Sequence, residues 1–326
     1  MRSILGLLFL LSGHAVFCQS TGQPTTTNAV IVLPVQNPVV VSNTFYRQVN
    51  LQPANAANWL DYYKWIMQTK ELNTTAKEQL QSQTIQASTK YIGGSWQFSL
   101  MNFIYSGKRN KTFLDAALGN ASDKAVIYPY AIQYALIMQD DSLLKEYATA
   151  LNELNPLSPA LYEYHYNALM SAGENATIYA KGLSDLAPMA VLQQVYGIRN
   201  DIRLKYYSQT ITDTVNAYIC LSAGKEIIQS YSNAAYAGLL IRISGTQASP
   251  ELQHSMSRFN LTQLNRLQGL DVEEQAIYKN YLPSFILLYR YFKTNNDPAA
   301  AKWKSMLNKI GRLTGNSDSI NKMTGE

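Results

Sequence analysis

Residues 175–207 read NATIYAKGLSDLAPMAVLQQVYGIRNDIRLKYY, and the organisation of the whole chain follows from this stretch. Residues 176–180 are a charge-free run of small, β-branched and aromatic side chains, which predicts a short strand buried on both faces. Residues 202–206 alternate apolar with basic side chains, and this period of two predicts a second strand with one solvated face. Because the segment between them predicts a helix, the two strands should lie parallel, with a right-handed crossover.

The segment that joins these strands predicts a tight polar loop followed by a helix. Ser184 or Asp185 can cap that helix, since both side chains accept hydrogen bonds from free amides of a first turn. Pro188 then falls within the first turn, where its missing N–H costs little. Apolar residues recur at helical spacing up to Tyr196, and Gly197 is well placed as a left-handed C-terminal cap.

The residues that follow predict more α/β structure. A helix capped by Thr212 or Asp213 is expected to run to about Ala223. Residues 226–231 then predict a third strand, and residues 236–243 predict a fourth, antiparallel strand. An α/β region of this size is too small to be stable alone, so we expect it to pack against helices on either side.

The remainder of the chain is predicted to be helical. Segments that open at residues 125 and 158 start 33 residues apart, close to the tetratricopeptide period. The predicted fold class is therefore α+β, with mostly helical structure. Tetratricopeptide-like helical hairpins flank a small Rossmann-like α/β insert of about four strands. The predicted boundaries are a helical-repeat domain at 45–173, the α/β domain at 174–246, helical hairpins at 247–313 and a frayed polar tail at 314–326.

The first 44 residues predict export. A basic start and the apolar run at residues 4–11 are typical of a secretory signal peptide at 1–18, cleaved near Cys18. The alternative makes Cys18 a lipidated N-terminus, which the bulky Phe17 disfavours.

Residues 19–44 form a Thr/Pro/Val-rich arm. This arm is either a linker or an edge strand on its own domain, or else a strand that is added to the sheet of a partner. The later sequence has no apolar run long enough to span a membrane, so the exported chain is expected to be soluble in the periplasm, with a possible outer-membrane association.

Composition argues against several functional classes. Basic residues exceed acidic ones by only five in the whole chain and are scattered, which disfavours a role in nucleic-acid binding. After the signal peptide only Cys220 remains, so a disulfide or a zinc site is not expected, and Cys220 is interpreted as a small buried hydrophobic residue. His165 is interpreted as a satisfied packing residue and His254 as solvent-facing. Catalytic motifs are missing, so we predict neither enzyme activity nor a cofactor nor a metal.

One resemblance to a known family rests on residues 175–204, on YAGLLIRIS at 236–244 and on YKNYLPSFILLYRYFKTNNDPAAAKWKSML at 278–307. Together they resemble the soluble C-terminal region of Bacteroidota membrane proteins related to protein O-mannosyltransferases, in which a strand is followed by Gly-Asp-Asn-Asp-Thr-(Tyr/Phe)-Pro, Leu-Gln and Gly-(Val/Ile)-Arg-x-Asp-(Val/Ile). The matching positions here are Gly182, Asp185, Pro188, Leu192, Gln193, Gly197, Arg199, Asp201 and Ile202. Leu183, Ser184 and Leu186 depart from the pattern and make its acidic loop less polar.

The resemblance covers about residues 155–313 and implies a soluble module of the kind that also occurs beside tetratricopeptide repeats. It does not extend to the membrane-spanning catalytic half of those relatives, so it implies no glycosyl transfer. The loop at 182–188 lies where open α/β sheets place ligands, at the carboxyl end of a parallel strand and the start of a helix. The candidate ligand-binding residues are therefore Gly182, Ser184, Asp185, Gln193, Arg199 and Asp201, although a purely structural turn explains the same residues.

Three short triplets, Asp-Ser-Leu, Asp-Thr-Val and Asp-Ser-Ile, resemble the O-glycosylation sites of exported Bacteroidota proteins, which makes Ser142, Thr214 and Ser319 candidate acceptors. The chain also holds 23 tyrosines, many at helical spacing.

The favoured function is an exported, non-enzymatic scaffold of the cell envelope that binds a protein partner, as a subunit of an outer-membrane secretion, assembly or motility complex. The alternative is a periplasmic protein that binds or processes a ligand or glycan through residues 182–188.

Overall fold

The computed structural model describes residues 32, 33, 35, 37–207, 211, 214–244, 249–266 and 272–324, with only the backbone of 249–251, 272 and 273. The chain divides into two compact units, Met1–Ile127 and Tyr128–Glu326. The boundary between them lies inside the stretch predicted as a single helical-repeat domain. The predicted signal peptide, its cleavage site at Cys18 and most of the predicted arm lie outside the described residues.

The described part of the first unit is helical. Its α-helices are α1 (Pro38–Ser42), α2 (Thr44–Leu51), α3 (Ala56–Gln68), α4 (Thr74–Ile92), α5 (Trp96–Tyr105) and α6 (Lys111–Asn120). Trp59, Tyr62, Tyr63 and Ile66 of α3 are buried together, as their shared helical face predicts. The edge-strand interpretation of the arm is wrong for residues 38–42, because Pro38 sits in a first helical turn, where proline is tolerated, and the Asn37 side chain caps that turn.

The second unit combines helices with a small mixed sheet. Its described α-helices are α7 (Tyr128–Met138), α8 (Asp141–Leu154), α9 (Pro159–Ser171), α10 (Leu183–Gln194), α11 (Lys225–Gln229), α12 (Ser249–Ser257), α13 (Thr262–Arg266), α14 (Val272–Tyr278), α15 (Leu282–Thr294), α16 (Ala299–Thr314) and α17 (Ser317–Thr324). Among the described residues no helix combines the length and the apolar character needed to cross a bilayer.

The sheet contains β1 (Thr177–Ala180), β2 (Arg203–Tyr206), β3 (Ala217–Cys220), β4 (Ala235–Ala237) and β5 (Leu240–Arg242). Their order across the sheet is β2-β1-β3-β5-β4. β1 pairs in parallel with β2 and β3, while β5 pairs antiparallel with β3 and β4. The parallel pairing of β1 with β2 across α10 confirms the first prediction. The small sheet therefore has five strands rather than about four.

Three predictions for residues 212–243 are wrong. Residues 217–220 form the central strand β3 rather than part of a helix, because all four are buried between β1 and β5. Residues 225–229 form the short helix α11, from which Ile227 packs against the buried cluster that includes Tyr179 and Ile219. The run at 236–243 is interrupted at Gly238, whose φ of +65° lets the chain turn between β4 and β5.

The helix α10 links the sheet to the helices before it. It contacts α7, α8 and α9 on one side and the strands β1 and β2 on the other. Its C-terminus has the predicted left-handed glycine: Gly197 has φ +68°, Gly197 N–H donates to Gln193 O, and Ile198 N–H donates to Leu192 O. The bond from Gly197 N–H to Gln193 O is the single contact of an αL motif, which satisfies a free carbonyl where the helix ends.

The C-terminal residues also differ from the prediction. The frayed-tail prediction is wrong for residues 317–324, which form α17 against α15 and α16. Ile320 of α17 is buried, while Arg290 and Lys293 of α15 donate hydrogen bonds to the carbonyl oxygens of Met323 and Thr324. Cationic side chains at a helix C-terminus satisfy free carbonyls and oppose the helix dipole, so the polar sequence gains a defined structure.

Candidate functional site

The loop after β1 is shorter than the sequence predicts, since only Lys181 and Gly182 separate β1 from α10. Gly182 itself is the N-cap of α10, and no side chain caps the helix. Leu186 N–H donates to Gly182 O at 3.2 Å, which starts the helical ladder. The interpretation of Ser184 or Asp185 as the cap is therefore wrong, because the helix begins before both of them. Asp185 occupies the third helical position, and its side chain is buried.

Asp185 is held by a contact from the segment that follows β3, the parallel neighbour of β1. Ser222 lies in the 3-10 turn (Leu221–Ala223) after β3, and its hydroxyl donates a hydrogen bond to Asp185 Oδ2. Burial raises the pKa of Asp185 to about 6, against a smaller lowering by the Ser222 hydrogen bond. Ser222 was not identified from the sequence, because residues 217–223 had been predicted as helix and could not be placed beside α10.

Two further groups lie near this carboxyl group. Burial, and secondly the charge of Asp185, raise the pKa of the Cys220 thiol and of the Tyr164 hydroxyl well above their ordinary values. The Tyr164 oxygen accepts a hydrogen bond from Asn280 Nδ2 at 2.9 Å. Both groups therefore remain protonated at neutral pH. A neutral thiol and a neutral phenol are weak nucleophiles, so this environment favours packing over reaction.

Gln193, Arg199 and Asp201 form a separate cluster. Arg199 Nε and Nη2 donate to the two carboxylate oxygens of Asp201, each at 2.8 Å. The same guanidinium donates to the carbonyl oxygens of Leu169, Ala172 and Gly173 at the end of α9. Gln193 Nε2 donates to the carbonyl oxygens of Arg199 and Ile202, each at 2.8 Å. This cluster closes the turn between α10 and β2.

The six predicted residues are therefore divided between two places. Gly182, Ser184 and Asp185 lie at the amino end of α10, whereas Gln193, Arg199 and Asp201 lie at its carboxyl end. A helix of 12 residues is about 18 Å long at 1.5 Å per residue. One small ligand cannot contact both groups. Within the described residues no cluster of three or more His, Cys, Asp or Glu side chains could hold a metal ion.

The remaining single residues are placed as follows. Cys220 is buried in β3, as predicted. His165 is buried in α9, where its ring meets Tyr164 edge-on at 4.9 Å, and burial lowers the pKa of His165 to about 3. Its Nδ1 has no hydrogen-bond partner, so the prediction of a satisfied histidine is wrong at this atom. His254 is exposed in α12, as predicted. Ser142 and Ser319 are exposed, while Thr214 is half-buried.

A partly exposed aromatic surface lies where α8, α9 and the residues just after α10 meet. We define it as Tyr162, Tyr166 and Tyr196. The rings of Tyr162 and Tyr166 are nearly parallel, at 9° and 6.4 Å between centroids, and Tyr196 meets Tyr162 edge-on at 5.5 Å. The hydroxyl of Tyr196 donates to Asn152 Oδ1 at 3.1 Å, yet the residue remains 46% exposed. Leu154, two residues after Asn152 on α8, is 57% exposed.

The comparisons with known proteins add no relative to this description. Neither the protein-family models, nor the curated proteins, nor the solved structures contain a match to the chain.

The pH dependence of stability tests the structural role of Asp185. Its pKa is raised to about 6 in the folded protein, from 3.8, so its contribution is most favourable below about pH 4 and is lost as the pH rises to about 6. Asp185→Asn removes the charge while retaining an acceptor for Ser222. We expect this variant to be more stable than the parent at pH 7.5, by about 3 kcal/mol at most, as measured by urea unfolding.

The matched control for that prediction is Asp201→Asn. Hydrogen bonds from Arg199 lower the pKa of Asp201 to about 2, so its ionised form stabilises the folded state and its substitution should destabilise at pH 7.5. Opposite signs for the two variants are expected. A loss of stability in Asp185→Asn at pH 7.5 would show that the ionised carboxylate has a favourable partner beyond Ser222.

Proposed function

We propose that the protein is an exported, non-enzymatic scaffold of the bacterial cell envelope that binds a protein partner through the aromatic surface. The observation that carries this proposal is the set of three tyrosine rings held against one another at a solvent-accessible junction of α8, α9 and α10. Tyrosine is enriched at protein interfaces because it provides a large contact area together with a hydroxyl that tolerates water.

The packing of the rings supports a binding role because it reduces the entropy that association would cost. Burial, and secondly the neighbouring tyrosines, raise the pKa of the Tyr162 hydroxyl, which keeps the phenol neutral. Tyr196 is anchored through Asn152, so its ring is already oriented before a partner arrives. Pre-oriented aromatic side chains contribute more to affinity than mobile ones, since fewer rotamers are lost on binding.

The surrounding architecture fits the same proposal. The helical hairpins α7–α8 and α15–α16 are antiparallel neighbours in a mostly helical chain, and we interpret them as degenerate tetratricopeptide-like units beside a Rossmann-like β1-α10-β2 segment. Repeats of this kind offer surfaces for protein partners. Export to the periplasm, and membership of an outer-membrane secretion, assembly or motility complex, belong to the proposal through the predicted signal peptide at 1–18.

The contacts of residues 182–188, which were predicted as a loop but form the N-cap and first turns of α10, weigh against the alternative of a ligand or glycan site. That alternative needs Asp185 and Arg199 to line one pocket, but the two residues lie at opposite ends of α10. Asp185 is already engaged by Ser222, and Arg199 uses Nε, Nη1 and Nη2 in contacts to Asp201 and to backbone carbonyl oxygens. We therefore assign the loop a structural role in the proposed scaffold.

Co-purification from native envelopes tests the proposal. The double variant Tyr166→Ala/Tyr196→Ala should reduce the recovery of a stoichiometric partner about tenfold or more, since aromatic anchors at an interface are typically worth at least ~2 kcal/mol. Tyr105→Ala is the matched control, because Tyr105 is similarly exposed, at 48%, in the first unit. Circular dichroism confirms that each variant is folded.

Two results would count against the proposal. Recovery of no stoichiometric partner with the parent protein would remove its basis, and an equal loss in Tyr105→Ala would show that the aromatic surface is not the contact. The location is tested separately by fractionation of the native host. Retention of the full-length chain in the cytoplasm would contradict export, whether or not a partner is found.

A further inference from the structure

The N-terminal arm has a docked segment, Val32 and Leu33, that lies against α2 of the first unit. Val32 N–H and Leu33 N–H both donate to Asn50 Oδ1, at 2.8 and 3.2 Å, and the Tyr46 hydroxyl donates to Leu33 O at 2.7 Å. The Leu33 side chain is only 2% exposed. Hydrogen bonds to the main chain and one buried leucine therefore hold this segment in place.

We call Tyr46 and Asn50 the clamp. The two residues are one turn apart on α2 and share one face of that helix. Asn50 Nδ2 donates to Tyr46 O at 2.9 Å, which directs the amide oxygen toward the docked segment. The clamp contacts amide and carbonyl groups that every extended segment has, and the buried Leu33 side chain adds selectivity for an apolar residue. The clamp is therefore a small receptor for an extended peptide, filled here by its own chain.

The connection between the docked segment and α1 is short. Only residues 34–37 separate Leu33 from α1, and Pro34 and Pro38 stand at its two ends in the sequence. Each proline fixes its own φ angle, so the connection has few conformations with which to close within one chain. Short connections of this kind favour exchange of the terminal segment between two chains. The exchanged segment would make the same contacts in the second chain.

The arm and the clamp lie in a stretch of sequence without charge. Residues 19–46 contain no Lys, Arg, Asp or Glu, and Arg47 is the first charged residue after them. Like-charge repulsion therefore does not keep the arms of two copies apart. A strongly acidic or basic partner segment would find no series of complementary charges along the arm.

The helices around the clamp expose apolar side chains. Val41 of α1 and Phe45 and Leu51 of α2 are exposed, and Leu51 is 73% exposed. Phe45 directly precedes Tyr46 of the clamp, and Leu51 directly follows Asn50. A second copy whose arm enters the clamp brings its own α1 and α2 nearby, and covering these side chains would stabilise the pair.

We propose that the clamp of each chain binds residues 32–33 of a second copy, so that two chains form a symmetric dimer with exchanged arms. Each copy supplies one clamp and one docked segment, which is the self-complementary contact that a twofold axis requires. The second copy is favoured over an unrelated protein because it carries the very segment that the clamp holds. This inference does not depend on the aromatic surface, which belongs to the second unit.

Complementation between two variants of the full chain tests the inference by analytical ultracentrifugation. Leu33→Ser removes the buried side chain and leaves the clamp, whereas Tyr46→Phe/Asn50→Ala removes the hydrogen bonds of the clamp and leaves the arm. Their mixture pairs an intact arm with an intact clamp, a contact that neither variant can form alone. We expect the mixture to associate about tenfold or more tightly than either variant, and the parent to form a dimer that dissociates on dilution.

The matched control replaces the clamp variant in the mixture by Tyr91→Phe/Asn102→Ala. Asn102 Nδ2 donates to the carbonyl oxygen of Phe98, four residues before it on α5, as Asn50 does on α2. The control chain keeps its own clamp filled, so its mixture with Leu33→Ser should associate more weakly than the complementing mixture. Circular dichroism confirms that each variant is folded.

A labelled peptide of residues 29–36, AVIVLPVQ, tests the clamp as a receptor. It should bind Leu33→Ser more tightly than the parent, because the arm of the parent competes for the clamp. Binding of the peptide without association of the complementing chains would show that each arm reaches only its own clamp, and would overturn the exchange.

Three further results would overturn the inference. They are a parent that is monomeric at every soluble concentration, a complementing mixture that does not associate, and a control mixture that associates equally well. The aromatic-surface variant Tyr166→Ala/Tyr196→Ala should dimerise as the parent does, so this inference and the proposed function can fail separately.

Discussion

Gly238→Ala is expected to lower stability by about 3 kcal/mol, since an alanine at positive φ costs about 1 kcal/mol and an overpacked site adds about 1–3 kcal/mol. Gly238 has φ +65° in the turn between β4 and β5. A Cβ there would overlap Ser171 Oγ and lie 2.9 Å from Phe259 Cζ. Ser171 cannot move away freely, because its hydroxyl donates to Asn167 O and accepts from Leu239 N–H, each at 2.8 Å.

The measurement is the urea midpoint of unfolding, followed by hydrogen exchange at the amide of Leu239. Gly315→Ala is the matched control: Gly315 has φ +66°, and an added Cβ would meet nothing within 4 Å. Gly315→Ala should therefore lose only the stability that positive φ costs an alanine, about 1 kcal/mol. Equal shifts in the two variants would mean that Ser171 and Phe259 can relax around an added methyl group.

Arg199→Ala is expected to destabilise the protein by about 3 kcal/mol, because hydrogen bonds to charged groups contribute about 1.5–3 kcal/mol. The guanidinium group is 12% exposed and joins Asp201 to three carbonyl oxygens at the end of α9. Its removal takes one donor from each of these carbonyls at the point where α9 leads into β1. Leu169 O then keeps only the Ala172 amide at 3.3 Å, and Ala172 O only Arg258 Nη2 at 3.5 Å. Arg199→Lys should recover only part of the loss, because one ammonium group cannot reproduce the planar set of contacts.

The pH profile separates this structural role from a general loss of charge. Because Arg199 lowers the pKa of Asp201 to about 2 from 3.8, the pair contributes stability above about pH 4 that is lost as the pH falls toward 2. The difference between the parent and Arg199→Ala should therefore narrow in acid. Arg203→Ala, at an exposed position on β2, is the control and should change stability by less than about 0.5 kcal/mol. A comparable loss at Arg203 would argue against the specific network at Arg199.

The predictions that succeeded depend on local patterns. The period of two at 202–206, the apolar run at 176–180 and the glycine at 197 each specify structure through neighbouring residues alone. The helix predicted to open at residue 158 likewise begins there, since the Ser158 side chain caps α9, and such a cap acts on the adjacent turn alone.

The candidate site was predicted only in part. The sequence identified Asp185, Arg199 and Asp201 as the polar residues of interest. It did not place Ser222 against Asp185, because that contact requires β3 to lie beside β1. A four-residue apolar run such as 217–220 fits a buried strand or a helix equally well, and its local pattern contains nothing that selects between them.

Local sequence thus set the positions of most helices and the parallel β1-α10-β2 segment. The three-dimensional packing set the central place of β3, the burial of Asp185 and the separation of the predicted site into two ends of one helix. The physical reason is range: propensities and caps act over a few residues, whereas strand pairing and burial depend on partners that are distant in the chain. An aspartate becomes a buried carboxyl with a raised pKa only when strands from elsewhere cover it.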